Sequence, residues 1–296
     1  MRPGWSEKIS YSALYVFLGL MAFLTLYPFL QVIATSFSSS RAISSGEVFL
    51  WPVGWDTRSY RNLIEDGQLF AAMKNTVWIT LLGTAMNIMA TVMAAYPLSR
   101  KRLLGRNPVL MMITFTMLFS GGLIPNFILI RTLGIIDTYW ALWLPGLLST
   151  YNMFVMKTFF EGLPAEMEES ASMDGANDLR VLWSIILPLS RPILAALTLF
   201  YAVGWWNSYF NVLMYITSSD KQTLMVKLLQ MIDTTAQNLL NASQTSGSEG
   251  AAFQAMVTPE GLRAAAIVIS ITPILVVYPF LQKYFVKGVL IGSVKG

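Results

Sequence analysis

EESASMDGANDLRVLWSIILP occupies Glu168–Pro188. Its first half holds four acids, Glu168, Glu169, Asp174 and Asp178, and no base. It lies between long apolar runs in a chain of 296 residues that is 55% hydrophobic and only 12% charged. Soluble domains carry about 25% charged residues. A chain this poor in charge cannot cover a globular surface with solvated groups, so its natural solvent is lipid. How one polar, helix-prone stretch fits among the apolar runs decides the fold.

A helix needs about 20 apolar residues, each rising about 1.5 Å, to cross about 30 Å of hydrocarbon. Windows free of Asp, Glu, Lys and Arg run over 9–40, 75–99, 107–130, 138–156, 192–219 and 264–282. The fourth and sixth are only just long enough. Backbone groups in hydrocarbon must be satisfied internally, so each window is expected to be a helix. The expected fold is an all-α integral membrane protein with six transmembrane helices. The first run is too long for a signal peptide and reads as a retained span.

Orientation follows from the bases. SRKRLLGRN, between the second and third windows, holds Arg100, Lys101, Arg102 and Arg106; Arg131 is the one base between the third and fourth. Lys283, Lys287 and Lys295 lie beyond the sixth. The positive-inside rule then places both termini and the acidic stretch in the cytoplasm. The longer connections, about 38–73 and 217–262, fall outside. The second contains NASQTSGSEGAAFQ and is expected to be a partly mobile loop. The expected organisation is a first helix and outer segment over 1–70, a five-helix core over 71–287, and a tail over 288–296. The polar loop 161–188 belongs to the core.

The chain has no Cys and no His. Disulfides, thiol nucleophiles, Cys/His metal sites and Ser-His catalysis are excluded, and no metal site is expected. The net charge of +4 is spread over loops between apolar runs, which suits lipid and not nucleic acid. No GxxxxGK[ST] phosphate loop is present, so ATP cannot be held by that route. No charge falls inside a window, which opposes proton coupling. Na⁺ coupling through carbonyls stays open, so an ion-coupled secondary transporter or channel is the alternative. A membrane-embedded enzyme finds no paired carboxylates within a span.

Between Glu161 and Arg180 there are six acids and one base. The positive-inside rule counts bases and largely ignores acids, so it permits this segment without explaining it. Pro164 suits the first position of a helix. Glu166, Glu168 and Glu169 follow in its early turns, where negative charge meets the positive end of the macrodipole. Asp174-Gly175 supplies a stop, and Asn177 or Asp178 caps a second helix. Pro188 is expected to end that helix at the start of span five. A solvated connector is the plain reading. Its size opposes that, because helix connections need only a few residues and this one spends roughly 30. A docking element for a separate partner fits better.

Glu169-Ser170-Ala171, then Gly175, then Ile185, Leu187 and Pro188 resemble the EAA motif of ABC importer membrane subunits, with Ser170 in place of the first Ala. LGIIDTYWALWLPGLLSTYNMFVMKTFF (133–160), VGWWNSYFNVL (203–213) and FVKGVLIGSVKG (285–296) resemble carbohydrate-uptake permeases of the maltose type. GGLIP (121–125) and YPLSR (96–100) fit as well. The resemblance covers nearly the whole chain. It implies the type I permease fold, a bacterial cytoplasmic membrane location and no catalysis by this chain. ATP-driven alternating access is the implied mechanism.

The same resemblance implies a coupling helix seated in the ATPase through Glu166, Glu169, Ala171, Asp174, Gly175, Ala176, Leu187 and Pro188. It implies a tail touching the ATPase at Lys295 and Gly296. ATP and Mg would be bound by the ATPase, with no cofactor in this chain. The implied partners are a second homologous permease, two ATPase copies, an extracytoplasmic solute-binding protein and membrane lipid. The implied cargo is an oligosaccharide, and some members of the subgroup take uronate-rich fragments of pectin or alginate.

Trp205, Trp206, Asn207, Tyr209 and Asn211 are the candidate substrate-path residues. Aromatic faces and amides suit the C–H patches and hydroxyls of sugar rings. The same residue types also form interfacial belts and bond neighbouring helices. Gly121-Gly122 permits either close packing or a break in span three.

Overall fold

The computed structural model describes residues 5–65, 67–244 and 258–293. No strand occurs among the described residues. The six apolar windows are helical, but only three form helices both long and apolar enough to cross a membrane unbroken. These are α1 (Trp5–Ser36), α4 (Gln68–Ser99) and α15 (Pro259–Ser293). Between the first two lie the short α2 (Ser40–Ser44) and α3 (Arg58–Glu65). From Tyr11 to Leu30 α1 has no buried residue, as a helix facing lipid would.

The other three windows are interrupted, each for a local reason. The third divides into α5 (Arg106–Leu118) and α6 (Leu123–Thr132), bent by 112°. Gly122 stands at the break with φ 86°, a conformation that costs glycine nothing. Of the two roles open to Gly121-Gly122, the structure uses the break. The fourth window is not one continuous helix. It consists of α7 (Trp140–Trp143) and α8 (Thr150–Glu161), separated by a segment containing Pro145-Gly146. Ser149 caps α8, its hydroxyl accepting from the Asn152 N–H at 3.4 Å. The fifth window stops at Trp206 and resumes as α13 (Phe210–Tyr215).

The polar loop folds as α9 (Glu166–Met173), α10 (Asp178–Val181), a π turn (Leu182–Ile186) and α11 (Leu187–Leu189). α12 (Arg191–Trp206) then leaves at 83°. The second helix ends at Leu189, one residue beyond Pro188 and close to the expected end. The chain continues past it and bends at Ser190. Proline lacks an N–H and crowds the carbonyl four residues back. The wide π turn just before it, with Leu187 N–H bonding to Leu182 O, relieves both problems. Buried Ser190 closes the bend by donating its hydroxyl to Ile186 O at 2.7 Å.

The connection 217–262 also departs from expectation. It begins with a 21-residue helix, α14 (Leu224–Gln244), and is not a plain loop. Its Ser/Gly-rich stretch and the tail residues Lys295 and Gly296 lie outside the described residues.

The chain divides into two compact units, 1–70 with 227–273 and 71–226 with 274–296. In the first, Phe37 stacks on Trp55 at 4.9 Å and on Tyr60 at 4.8 Å, and Tyr60 donates to Ser36 Oγ at 2.8 Å. In the second, a buried cluster joins Val92 and Tyr96 of α4, Met153 and Phe160 of α8, Val181 and Ile186 of the polar loop, and Leu197 of α12. That cluster seats the polar hairpin against the ends of α4 and α8.

Candidate functional site

α9 and α10 form a hairpin whose corner obeys simple backbone rules. α9 ends in a Schellman motif: Ala176 N–H donates to Ala171 O, and Gly175 N–H to Ser172 O, each at 3.0 Å. Gly175 has φ 80°, and a Cβ built there meets no atom within 4 Å. Glycine is required at this corner for its backbone conformation and not for space. Ala171 and Ala176 are half-buried against the core cluster, supplying the apolar contact that accompanies this cap. Asn177 then caps α10, its side-chain oxygen accepting from Arg180 N–H at 2.8 Å. Ser170 donates back to Glu166 O at 2.8 Å, so its hydroxyl is satisfied within the helix.

The loop of bases faces the hairpin. Arg100 pairs with Glu168, Arg102 with Asp178 and Arg106 with Glu161. Lys157 adds two bonds to the Glu161 carboxylate, at 2.8 and 2.9 Å. Burial alone would raise the Glu161 pKa. Lys157 and Arg106 outweigh it and hold the carboxyl below its ordinary value. Arg100 and Glu168 are both largely buried, at 17% and 18% side-chain exposure. Arg100 also donates to Phe160 O at 3.3 Å and lies over the Tyr96 ring at 4.9 Å. Arg106 donates to Leu98 O at 2.8 Å. Three of the six acids are thereby neutralised by the neighbouring loop. The bases read from sequence as topology markers are also the braces of this hairpin.

The other three acids, Glu166, Glu169 and Asp174, are exposed and have no ion-pair partner among the described residues. Beside them stand apolar side chains that point into solvent: Met167, Met173 (89% exposed), Leu179 and Trp183 (62% exposed). Ion pairs tie one side of the hairpin, while these acids and apolar side chains stay exposed. Of the expected site residues, Glu166, Glu169 and Asp174 are among these exposed groups. Ala171, Gly175 and Ala176 shape the corner. Leu187 packs toward the core and Pro188 sits after the π turn. Leu179 and Trp183 were missed, because an isolated Leu or Trp in an apolar-patterned helix reads as core.

The candidate path residues surround the break between α12 and α13. Trp205 is committed to packing: its indole N–H donates to Asn87 Oδ1 at 2.6 Å. A Cβ on Gly83 would lie 2.6 Å from its ring. Buried Asn87 in turn donates to Gly146 O at 2.5 Å and Leu147 O at 2.8 Å. One amide thus joins α4, the α7–α8 segment and α12. Neither Gly83 nor Asn87 carried any signal in the sequence, where each is one small or polar residue in an apolar run. Asn207 donates to Val203 O at 3.0 Å and caps the end of α12. Tyr209 packs in a second cluster with Ile79, Ala141 and Val212, while Asn211 is exposed.

At the opposite end of this unit Asp137 is a polar hub. It is the one non-glycine residue with positive φ, at 61°, among those described. Its N–H donates to Tyr215 O at 2.8 Å. Its carboxylate accepts from Thr217 N–H at 3.0 Å, Ser218 N–H at 2.8 Å, the Ser218 hydroxyl at 2.5 Å and Lys221 Nζ at 2.8 Å. The Lys221 ammonium and Ser218 donors beside it hold the carboxyl far below the usual carboxylate range.

Residues 86–291 match the family described as binding-protein-dependent transport system inner membrane component. The protein LplC of Bacillus subtilis is 42% identical over 282 residues, covering 95% of this chain and 93% of its own. The polygalacturonan/rhamnogalacturonan transport system permease protein YtcP of the same organism is 38% identical, covering 96% of this chain and 97% of its own. A solved bacterial ABC transporter involved in the import of the acidic polysaccharide alginate has a chain 34% identical to this one. It superposes with TM-score 0.83, covering 96% of this chain and 99% of that one.

Proposed function

Because the chain belongs to the family of binding-protein-dependent transport system inner membrane components, we propose that it is the membrane-spanning permease of an ABC importer for oligosaccharides. Sugar-transport relatives that align along nearly their whole length support this reading. YtcP is a polygalacturonan/rhamnogalacturonan permease, and the solved relative is involved in the import of the acidic polysaccharide alginate. We therefore take the cargo to be a uronate-containing oligosaccharide.

The observation that carries the reading is the unpartnered face of Glu166, Glu169, Asp174, Met173, Leu179 and Trp183 on a rigid, arginine-braced hairpin. Exposed apolar side chains on a hairpin that also carries exposed acids suit a cleft with apolar walls and basic rims. In our reading that cleft belongs to a cytoplasmic ATPase. Two ATPase copies hold ATP and Mg, and this chain hydrolyses nothing. A second, homologous permease and an extracytoplasmic binding protein complete the assembly in the cytoplasmic membrane. Both termini and the hairpin are cytoplasmic, as the arginine loop demands.

ATP can drive import only by favouring one conformation of the permease pair over the other. Closure of the ATPases moves the hairpins, and the bundle exchanges inward-facing for outward-facing states. Saccharide contacts are assigned to Trp206, Asn207, Tyr209 and Asn211, where the interrupted helix leaves aromatic and amide groups beside irregular backbone. Trp205 holds that break in place from behind.

Reconstitution tests the whole. The complete complex in proteoliposomes is expected to import oligogalacturonate only with ATP and the binding protein. Uptake driven by an ion gradient without the ATPase would sink the proposal.

A further inference from the structure

Two routes lead from the hairpin into the unit formed by 71–226 and 274–296. The covalent one passes through the π turn, then the 83° bend at Ser190, into α12, which stops at Trp206. Two irregularities in series make that route compliant, because kinks and π turns are where helices yield. The other route is not covalent. Arg100 follows directly on the last residue of α4 and is joined to Glu168 of α9 by the largely buried ion pair. α4 is one continuous helix from there to the opposite end of the unit, with Pro97 in its last turn.

Hydrogen bonds fasten α4 along this path. Near Asn75 its side chain donates to Asp220 O at 2.6 Å and Gln222 O at 3.1 Å, and Thr76 Oγ1 accepts from Leu224 N–H at 2.8 Å. At mid-length Asn87 holds Trp205 and the α7–α8 segment, and Thr91 shares a 2.7 Å bond with Tyr201. At the arginine end, Arg106 donates to Leu98 O. From Asn75 to Ser99 a helix spans about 36 Å.

We propose that α4 is the transmission rod of the permease, and that the Arg100–Glu168 pair is the joint through which hairpin displacement enters it and reaches the 220–224 segment. Arg100 is a positioning residue: it touches neither saccharide nor nucleotide. The inference rests on the docking role assigned above. It adds that the ion pair behind the hairpin, and not only the face in front of it, sets how much transport each ATP delivers. An ion pair this shielded from water loses strength steeply when one partner is neutralised.

The test uses the complete complex in proteoliposomes and measures saccharide imported per ATP hydrolysed, together with co-purification of the ATPase. Arg100→Gln and Glu168→Gln are each expected to lower the ratio about 10-fold, with the ATPase still bound. Arg100→Lys keeps the charge and is expected to stay near wild type. The double variant is expected to be no worse than either single one, as partners in one joint require. Because the chain has no cysteine, spin labels at Ser172→Cys and Thr217→Cys report the hairpin-to-loop distance directly. Its ATP-dependent change is expected to shrink in Arg100→Gln. An unchanged ratio in both Gln variants overturns the inference. So does a loss that merely tracks loss of the ATPase, or an additive double variant. Wild-type import that needs ATP, together with unaltered variants, overturns this inference alone and leaves the function standing.

Discussion

Two ends of the second unit are both locked by charge, and they are locked differently. At the Asp137 end one carboxylate takes four hydrogen bonds from the chain itself and a left-handed backbone is held in place. At the hairpin end three acids are spent on arginines, while three others stand in solvent beside Met173, Leu179 and Trp183. At the first end the Asp137 carboxylate is fully engaged within the chain. The hairpin leaves acids and large apolar side chains accessible, and it is these that the proposed docking to an ATPase uses.

The sharpest way to break this contrast is to spoil the open face alone. Trp183→Glu is expected to abolish ATPase co-purification and import, at a cost of about 2–4 kcal/mol in docking typical of central aromatic anchors. The melting temperature of the permease should not fall. A fall equal to that of a core variant would mean that Trp183 is structural and the face is not a docking surface.

A smaller effect is expected at the corner that presents the face. Gly175→Ala forces a side chain into a left-handed position and should cost about 1–2 kcal/mol locally. Because no atom crowds the site, Gly175→Asn should recover part of that loss, which a purely steric role would forbid. Thermal unfolding and ATPase affinity together check both.

The smallest effect concerns the saturated end. A carboxylate with depressed pKa stabilises the fold fully above its unfolded value of about 3.9, and the gain fades as pH falls toward the folded value. Asp137→Asn should therefore lower the melting temperature modestly and by a constant amount from pH 8 to 5. The gap to wild type should narrow below about pH 4. A gap that widens on acidification would place the lost interaction elsewhere.

Much of the hairpin was legible in the sequence, because it is local chemistry. The Asp-Gly stop, the Asn177 cap and the acids in the first turn each act within a few residues. Membrane character was equally plain, since the absence of charge over long windows has no other solvent. The breaks were harder. Gly121-Gly122 left packing and interruption open, and the π turn just before Pro188 depends on the core against which Val181 and Ile186 pack. α14 was hidden in a long connection whose Ser/Gly-rich part dominated its composition.

The sequence by itself determined that this chain lives in lipid, that its spans carry no charge, and that one amphipathic polar hairpin interrupts them. Those properties follow from composition and from bonds between near neighbours. Only the tertiary structure decided which acids are braced and which are bare, that Asn87 receives Trp205 from 118 positions away, and that Arg100 reaches across to Glu168. Pairings of that kind link residues far apart in the chain, and no local rule of spacing encodes them.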